Sequence, residues 1–199
     1  MTDHHPGGLP PELERVIDFH GHLCPGLLIG WRAAGLAMRL GDWARSEDEE
    51  LVAICENTSC SLDAVQAATG CTLGKGNLFL RDTGKQVFTF AKRPGGRGLR
   101  VSLKAQARLD AQGERLSREE FAQRLLSAPD KELFDWREAE VELPPEAEIR
   151  ESFVCPGCGE SVMDTRLREL GGRRLCADCA AQAEGRTPPP PHRCGAAPA

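Results

Sequence analysis

Apolar positions recur along this chain with two different periods, helical in the first third and strand-like in the middle. Over "LPPELERVIDFH", Leu13, Val16, Ile17 and His20 return at three- and four-residue intervals behind a pair of prolines, which predicts a short first helix. "PGLLIGWRAAGLAMRLG" is apolar nearly all round and ends on Gly41, the pattern of a mostly buried second helix closed by a glycine cap. "ELVAICEN" is a short apolar run between charges and predicts a buried strand. "SLDAVQAATG" predicts a helix with Thr58, Ser59 or Ser61 as N-cap and Gly70 as its stop. From Gly76 to Gln106, runs of period two are broken by Asp-Thr-Gly and by Pro-Gly-Gly-Arg-Gly, which predicts an antiparallel meander. "SREEFAQRLLSAPDKELFDW" carries one or two further helices and "EAEVELP" a late strand. Helices first and sheet later give an α+β class, helices packed on a mainly antiparallel sheet, followed by a small cysteine-rich module.

Proline and glycine divide the chain. Residues 1–8 form a leader, 9–143 a core domain, and 144–151 a linker opening on Pro-Pro. Residues 152–185 form a small module and 186–199 a Pro/Ala-rich tail. Leader and tail are expected to be disordered, because neither can bury a core.

Composition narrows the function classes. The 199 residues are 40% hydrophobic, enough for a core, and carry a net charge of -5 with acids and bases interspersed. No basic field of the kind that dominates nucleic-acid affinity is present. Nucleic-acid contact would rest on Arg166, Arg168, Arg173 and Arg174 alone, and protein contact is the better expectation. No apolar run reaches the ~18 residues that span a bilayer, and the N-terminus lacks the pattern of a signal peptide, so a cytoplasmic location is expected.

Nine cysteines in a reducing compartment are better read as ligands or reactive thiols than as disulfides. Cys155-x-x-Cys158 and Cys176-x-x-Cys179, with 17 residues between the pairs, have four-thiolate zinc spacing. A two-residue gap lets both sulfurs of a pair reach one ion, and two pairs close a tetrahedron, which makes this zinc structural. The first pair lies in a Gly/Pro turn, a hairpin turning at Gly171-Gly172 follows, and the second pair opens a helix. That order is similar to a treble-clef finger.

The chemistry of the larger domain starts at "DFHGHLCPG". If Gly21 breaks the first helix, His20, His22 and Cys24 share one side of an extended segment. Imidazole and thiolate together suit zinc or another borderline-soft metal, and so a second metal ion. Pro25 makes Cys24 the N-cap of the next helix, where the dipole favours thiolate, so Cys24 could serve as ligand or nucleophile. Cys60 and Cys71 flank a predicted helix ~16 Å apart, and each divides evenly between site and core. Cys55 reads as packing. "GCTLGKGN" fails the phosphate-loop pattern, having three residues between Gly70 and Gly74 instead of four. It remains a glycine loop presenting Cys71, Thr72 and Lys75.

Together "FHGHLCPGLLIGWRAA", "SCSLDAVQAATGCTLGKGN" and "DTGKQVFTF" resemble the FmdE family of formylmethanofuran dehydrogenase proteins, and the cysteine module resembles the zinc finger that many members of that family carry. The resemblance implies an α+β core, a homodimer and a site formed by His20, His22, Cys24, Cys60 and Cys71 with Lys75 nearby. Cys24, His22 and Lys75 are then the candidate reactive groups. The chain has no ferredoxin-type cysteine run and is too short to cradle a pterin cofactor, so it cannot be the whole dehydrogenase. A redox-linked or accessory role beside a partner molybdenum or tungsten enzyme is expected, against the alternative of a noncatalytic zinc-finger module that docks a protein or nucleic acid.

Overall fold

The computed structural model describes residues 9–188; the expectations for the leader and for the tail beyond residue 188 lie outside the described residues. The chain divides into two compact units between Glu146 and Ala147.

In the first unit, α1 (Pro11–His20) and α2 (Pro25–Gly41) precede β1 (Leu51–Cys55) and α3 (Ser61–Thr69). β2 (Leu78–Leu80), β3 (Val87–Lys92) and β4 (Arg97–Leu103) follow, then α4 (Arg118–Ser127), α5 (Asp130–Leu133) and β5 (Phe134–Glu140). The five strands form one sheet in the order β2-β1-β3-β4-β5. The predicted meander holds for β3 and β4, which pair antiparallel through Phe90↔Leu99. It fails for Leu78–Leu80. That strand runs parallel to β1 in the register Ala53↔Leu78, because α3 supplies the crossover that parallel neighbours require. β5 also begins earlier than the late strand predicted from "EAEVELP", and takes Phe134 to Trp136 out of the helical segment. As an edge strand it is mostly exposed and charged, which discourages pairing with another chain.

The core lies between the helices and one sheet face. Phe88, Phe90, Phe134, Leu28, Ile29 and Leu51 are all at most 1% exposed. Two caps differ from expectation. α2 closes on Asp42, in the left-handed region at φ 50°, with Gly41 still helical. α3 starts from Cys60, which makes no side-chain cap bond. Ser59 and Ser61 instead bond the buried Asn57 carboxamide oxygen, at 2.7 and 2.9 Å.

α2 and α3 approach closely at Gly30. A Cβ there would stand 2.1 Å from the Ser61 carbonyl oxygen and 2.7 Å from its Cα, both backbone atoms that cannot swing aside. Gly30→Ala should therefore force the two helices apart and cost about 1–3 kcal/mol or more. Thermal unfolding checks this; an unchanged Tm would contradict the close crossing.

The second unit holds two antiparallel hairpins, β6 (Ser152–Val154) with β7 (Ser161–Met163) and β8 (Arg168–Leu170) with β9 (Arg173–Leu175), then α6 (Ala177–Ala183). Its buried cluster is small: Cys155, Leu175 and Ala180. Among the described residues no helix is long and apolar enough to cross a membrane.

Candidate metal centres

The first centre arises where α1 hands over to α2. Gly21 adopts φ 95° and returns its N–H to the Ile17 carbonyl, which ends α1 at His20. The turn folds His22 back over His20, ring centroids 4.5 Å apart. The chain then extends into Cys24, the N-cap of α2, whose Sγ accepts the Leu27 N–H at 3.4 Å. Its sulfur lies 3.8 Å from His20 Nε2, and the ligand atoms of His20, His22 and Cys24 all fall within 4.8 Å of one another. The sequence placed the three together on one extended segment. The actual cause is different: His20 is helical, and the left-handed glycine and the cap bring the other two to it.

Asp63, in the first turn of α3, was missed by sequence reasoning. Its carboxylate accepts from His20 Nδ1 at 2.7 Å. A carboxylate can only accept, so Nδ1 is the donor and Nε2 is the ring nitrogen turned toward Cys24. This is the carboxylate–imidazole arrangement that orients histidine ligands in metal sites. The available signal was Asp63 standing three residues after Cys60, on the helix that packs against α1. Asp63→Ala should weaken metal binding at this centre about 10–100-fold, measured by competition with a chelator.

Cys60 stands beside Cys24 at the start of α3. A Cβ built on Gly26 would touch Cys60 Cβ at 3.1 Å, with both sulfurs inside 4 Å. Burial first, and then the neighbouring Cys24, push the Cys60 thiol up. Cys71 and Lys75 are not brought to the centre. The nine residues of α3, at ~1.5 Å each, hold Cys60 and Cys71 at opposite helix ends. Cys71 is fully buried and donates to the Leu51 carbonyl at 3.3 Å, its thiol raised to about 11 by burial. Cys55, also buried, is raised to about 12. Lys75 Nζ donates to the carbonyls of Ser46, Glu47 and Asp48 at 3.1 to 3.2 Å, which clips it onto the loop before β1. The buried Asn77 completes that clip through Asp48 and Leu51.

The second centre gathers Cys155, Cys158, Cys176 and Cys179, again with all four sulfurs within 4.8 Å of one another. Cys155 Sγ accepts N–H groups from Cys176 at 3.2 Å and Gly157 at 3.4 Å. Backbone N–H donation, that of Cys176 foremost, draws the Cys155 thiol down to about 6. The adjoining Cys176 thiol pushes Cys179 up to about 12. Four thiols this close cannot all ionise unaided, and a divalent cation removes the conflict. Gly157 is required by proximity, since a Cβ there would meet Cys179 Sγ at 2.8 Å. Zinc fits both donor sets. Bonds of ~2.0–2.3 Å in a tetrahedron put ligand atoms roughly 3.3–3.8 Å apart. The Cys158–Cys176 sulfurs are at 3.9 Å and the Cys24–His20 pair at 3.8 Å.

An α+β unit with a three-donor His/Cys cluster and a second unit built on a four-cysteine cluster define a two-part metal-binding protein with a C4 zinc finger. Residues 19–135 match the family described as FmdE, molybdenum formylmethanofuran dehydrogenase operon, and residues 149–185 match the prokaryotic dksA/traR C4-type zinc finger. The first match covers more than half of the chain, and the chain belongs to the FmdE family. It is 35% identical over 195 residues to a probable S-adenosyl-L-methionine-binding protein of Archaeoglobus fulgidus, an alignment covering 84% of this chain and 52% of that one. The chain thus spans about half the length of that relative. It is also similar, at 27% identity and a TM-score of 0.62, to the crystal structure of a tungsten formylmethanofuran dehydrogenase FmdE-like protein from Syntrophus aciditrophicus, covering 86% of this chain and 91% of the other.

Proposed function

We propose that the protein is a metal-binding FmdE-family protein with two metals of different purpose. Zinc on Cys155, Cys158, Cys176 and Cys179 is structural, in a finger of treble-clef type. A second ion on His20, His22 and Cys24, with Cys60 adjacent, serves a redox-linked or accessory role beside a molybdenum or tungsten formylmethanofuran dehydrogenase-type enzyme in the cytoplasm. The protein would act there as a homodimer, a reading that rests on the family relationship alone.

The observation that carries this reading is the chain Asp63–His20–Cys24, with contacts of 2.7 and 3.8 Å. Structural packing does not need a carboxylate to fix the tautomer of a histidine facing a thiol. Three donors leave a position open for a substrate, whereas four thiolates close one. A bound ion would supply Lewis acidity. The chain's own groups hold it, through His20, His22 and Cys24, and orient His20 through Asp63.

The alternative, a docking module, draws on Phe153, Val154 and Met163, which are exposed on the first hairpin of the finger, with the Arg174 guanidinium 4.5 Å from the Phe153 ring centre. Metal content per chain, measured on protein purified without added metal or chelator, separates the two. Two metals are expected; a single metal, lost when the finger cysteines are replaced, would remove the core centre from the account.

A further inference from the structure

We propose that the arginine-lined cavity next to Cys24 is an anion subsite, which seats the carboxylate or phosphate group of the small molecule handled at the core centre. The purpose assigned to it rests on the metal reading above, but its capacity to bind does not.

The cavity, about 220 Å³, lies between Pro25, the residue that follows Cys24, and the Phe121 ring, with Arg108, Arg115 and Arg118 on its walls and no acid in its lining. Local structure brings the three cations together. Asp110 N–H donates to the Glu114 carbonyl, and Leu109 bridges to Arg115, closing a tight loop. Leu116 N–H then bonds the Arg108 carbonyl at 2.9 Å, which sets Arg115 beside Arg108. Ser117 caps α4 immediately afterwards and leaves Arg118 as the first residue of that helix.

Stability does not ask for this arrangement. A positive charge in the first turn of a helix opposes the macrodipole, and three converging guanidinium groups repel one another. Among the described residues none of the three has an ion pair or side-chain hydrogen bond. Arg108 is held by its position 4.9 Å over the Phe121 ring. Two of the carboxylates near by in the chain are engaged with backbone N–H groups, while Glu114 and Glu119 are exposed and outside the cavity lining. Glu120 accepts from Ser117 N–H, and Asp110 from the N–H groups of Gln112 and Glu114.

The other arginine-bearing hollows carry acidic residues in their linings. In the groove between α2 and α4, Asp130 bridges Arg32 and Arg39 at 2.6 and 2.7 Å, and Glu12 shares the lining. On the open sheet face, Arg100 pairs with Glu56 at 3.3 Å, with Glu140 and Glu142 alongside. Unlike these hollows, the cavity beside Cys24 has arginines and no acidic residue in its lining, in a chain whose net charge is -5.

Guanidinium forks match the geometry of carboxylate and phosphate oxygens. At about 220 Å³ the space is below the ~300 Å³ at which pockets for drug-sized ligands begin, so the ligand is a small anion or the anionic end of a slightly larger one.

The test is a ¹H–¹⁵N NMR titration of the full chain at constant ionic strength, with inorganic phosphate and separately with acetate, for wild type, Arg115→Gln/Arg118→Gln and Arg39→Gln. Both replaced pocket arginines are exposed, so the double variant should fold. Saturable shifts are expected for wild type and Arg39→Gln, with affinity about tenfold or more weaker in the double variant. Tighter phosphate binding marks a phosphoryl group, and tighter acetate binding a carboxylate. Equal affinity in wild type and the double variant, or no saturable binding of either anion, overturns the subsite. Core metal is counted on the same samples: arginine-dependent binding in a chain with no core metal supports the subsite while refuting the metal reading alone.

Discussion

Replacing Cys155 and Cys158 together by serine is expected to remove one zinc per chain and to unfold the second unit, while the first unit keeps its structure and its metal. The finger cannot fold on packing. Its strands are three residues long and its buried cluster is Cys155, Leu175 and Ala180, of which one is itself a ligand. A hydrophobic core of that size contributes little against the entropy of ordering more than thirty residues at ~1–2 kcal/mol each for the backbone. Structural zinc binding supplies ~10–16 kcal/mol at neutral pH and is in effect the folding free energy of such a module. The first unit has its own core around Phe88, Phe90 and Leu28 and does not depend on that term. Metal analysis and a ¹H–¹⁵N correlation spectrum check the outcome. A metal-free variant that still shows dispersed signals for residues 152–183 would mean that packing holds the finger, and the account of its four thiols would be wrong.

Why some of this was legible in the sequence follows from where each signal resides. The zinc spacing is local: two residues between sulfurs decide whether one ion can be shared, and "CPGC" and "CADC" state it outright. The first two helices were equally plain, because Pro11 and Pro25 mark their starts and the apolar rows recur without interruption. Non-local facts were not legible. Leu78–Leu80 alternates like a hairpin arm, and only the α3 crossover reveals it as the parallel neighbour of β1. Cys71 and Lys75 sit in one short motif with Cys60, yet α3 carries them to the far end of the helix, where they close the start of β1. Asp63 reads as an ordinary acidic residue in a first helical turn until His20 is seen against it. Likewise Arg108, Arg115 and Arg118 look like three scattered surface charges, and only the loop closed at Leu109 and Arg115 gathers them.

Cys24→Ser should take core metal from one per chain to almost none, leaving the finger loaded and the fold intact. The expectation of an intact fold comes from the cap. Cys24 sits at the start of α2 in extended geometry, φ -149° and ψ 161°, and its sulfur accepts the Leu27 N–H. Serine is among the best N-cap residues and can accept the same bond with its hydroxyl, so α2 loses nothing at its start. Metal binding has no such substitute. A hydroxyl replaces the one sulfur among the three clustered donors, and two imidazoles remain, only one of them oriented by a carboxylate. Removing an outer partner such as Asp63 costs about 10–100-fold in metal affinity, and removing a ligand should cost more than that. The result separates three accounts. Loss of one metal with an unchanged unfolding temperature assigns the ion to the His20–His22–Cys24 cluster. Loss of both metals with a collapsed unfolding temperature would mean that the substitution broke the fold, and the cap argument would fall. Retention of both metals would show that Cys24 is not a ligand, and the 3.8 Å approach of its sulfur to His20 would then be packing around a structural helix cap.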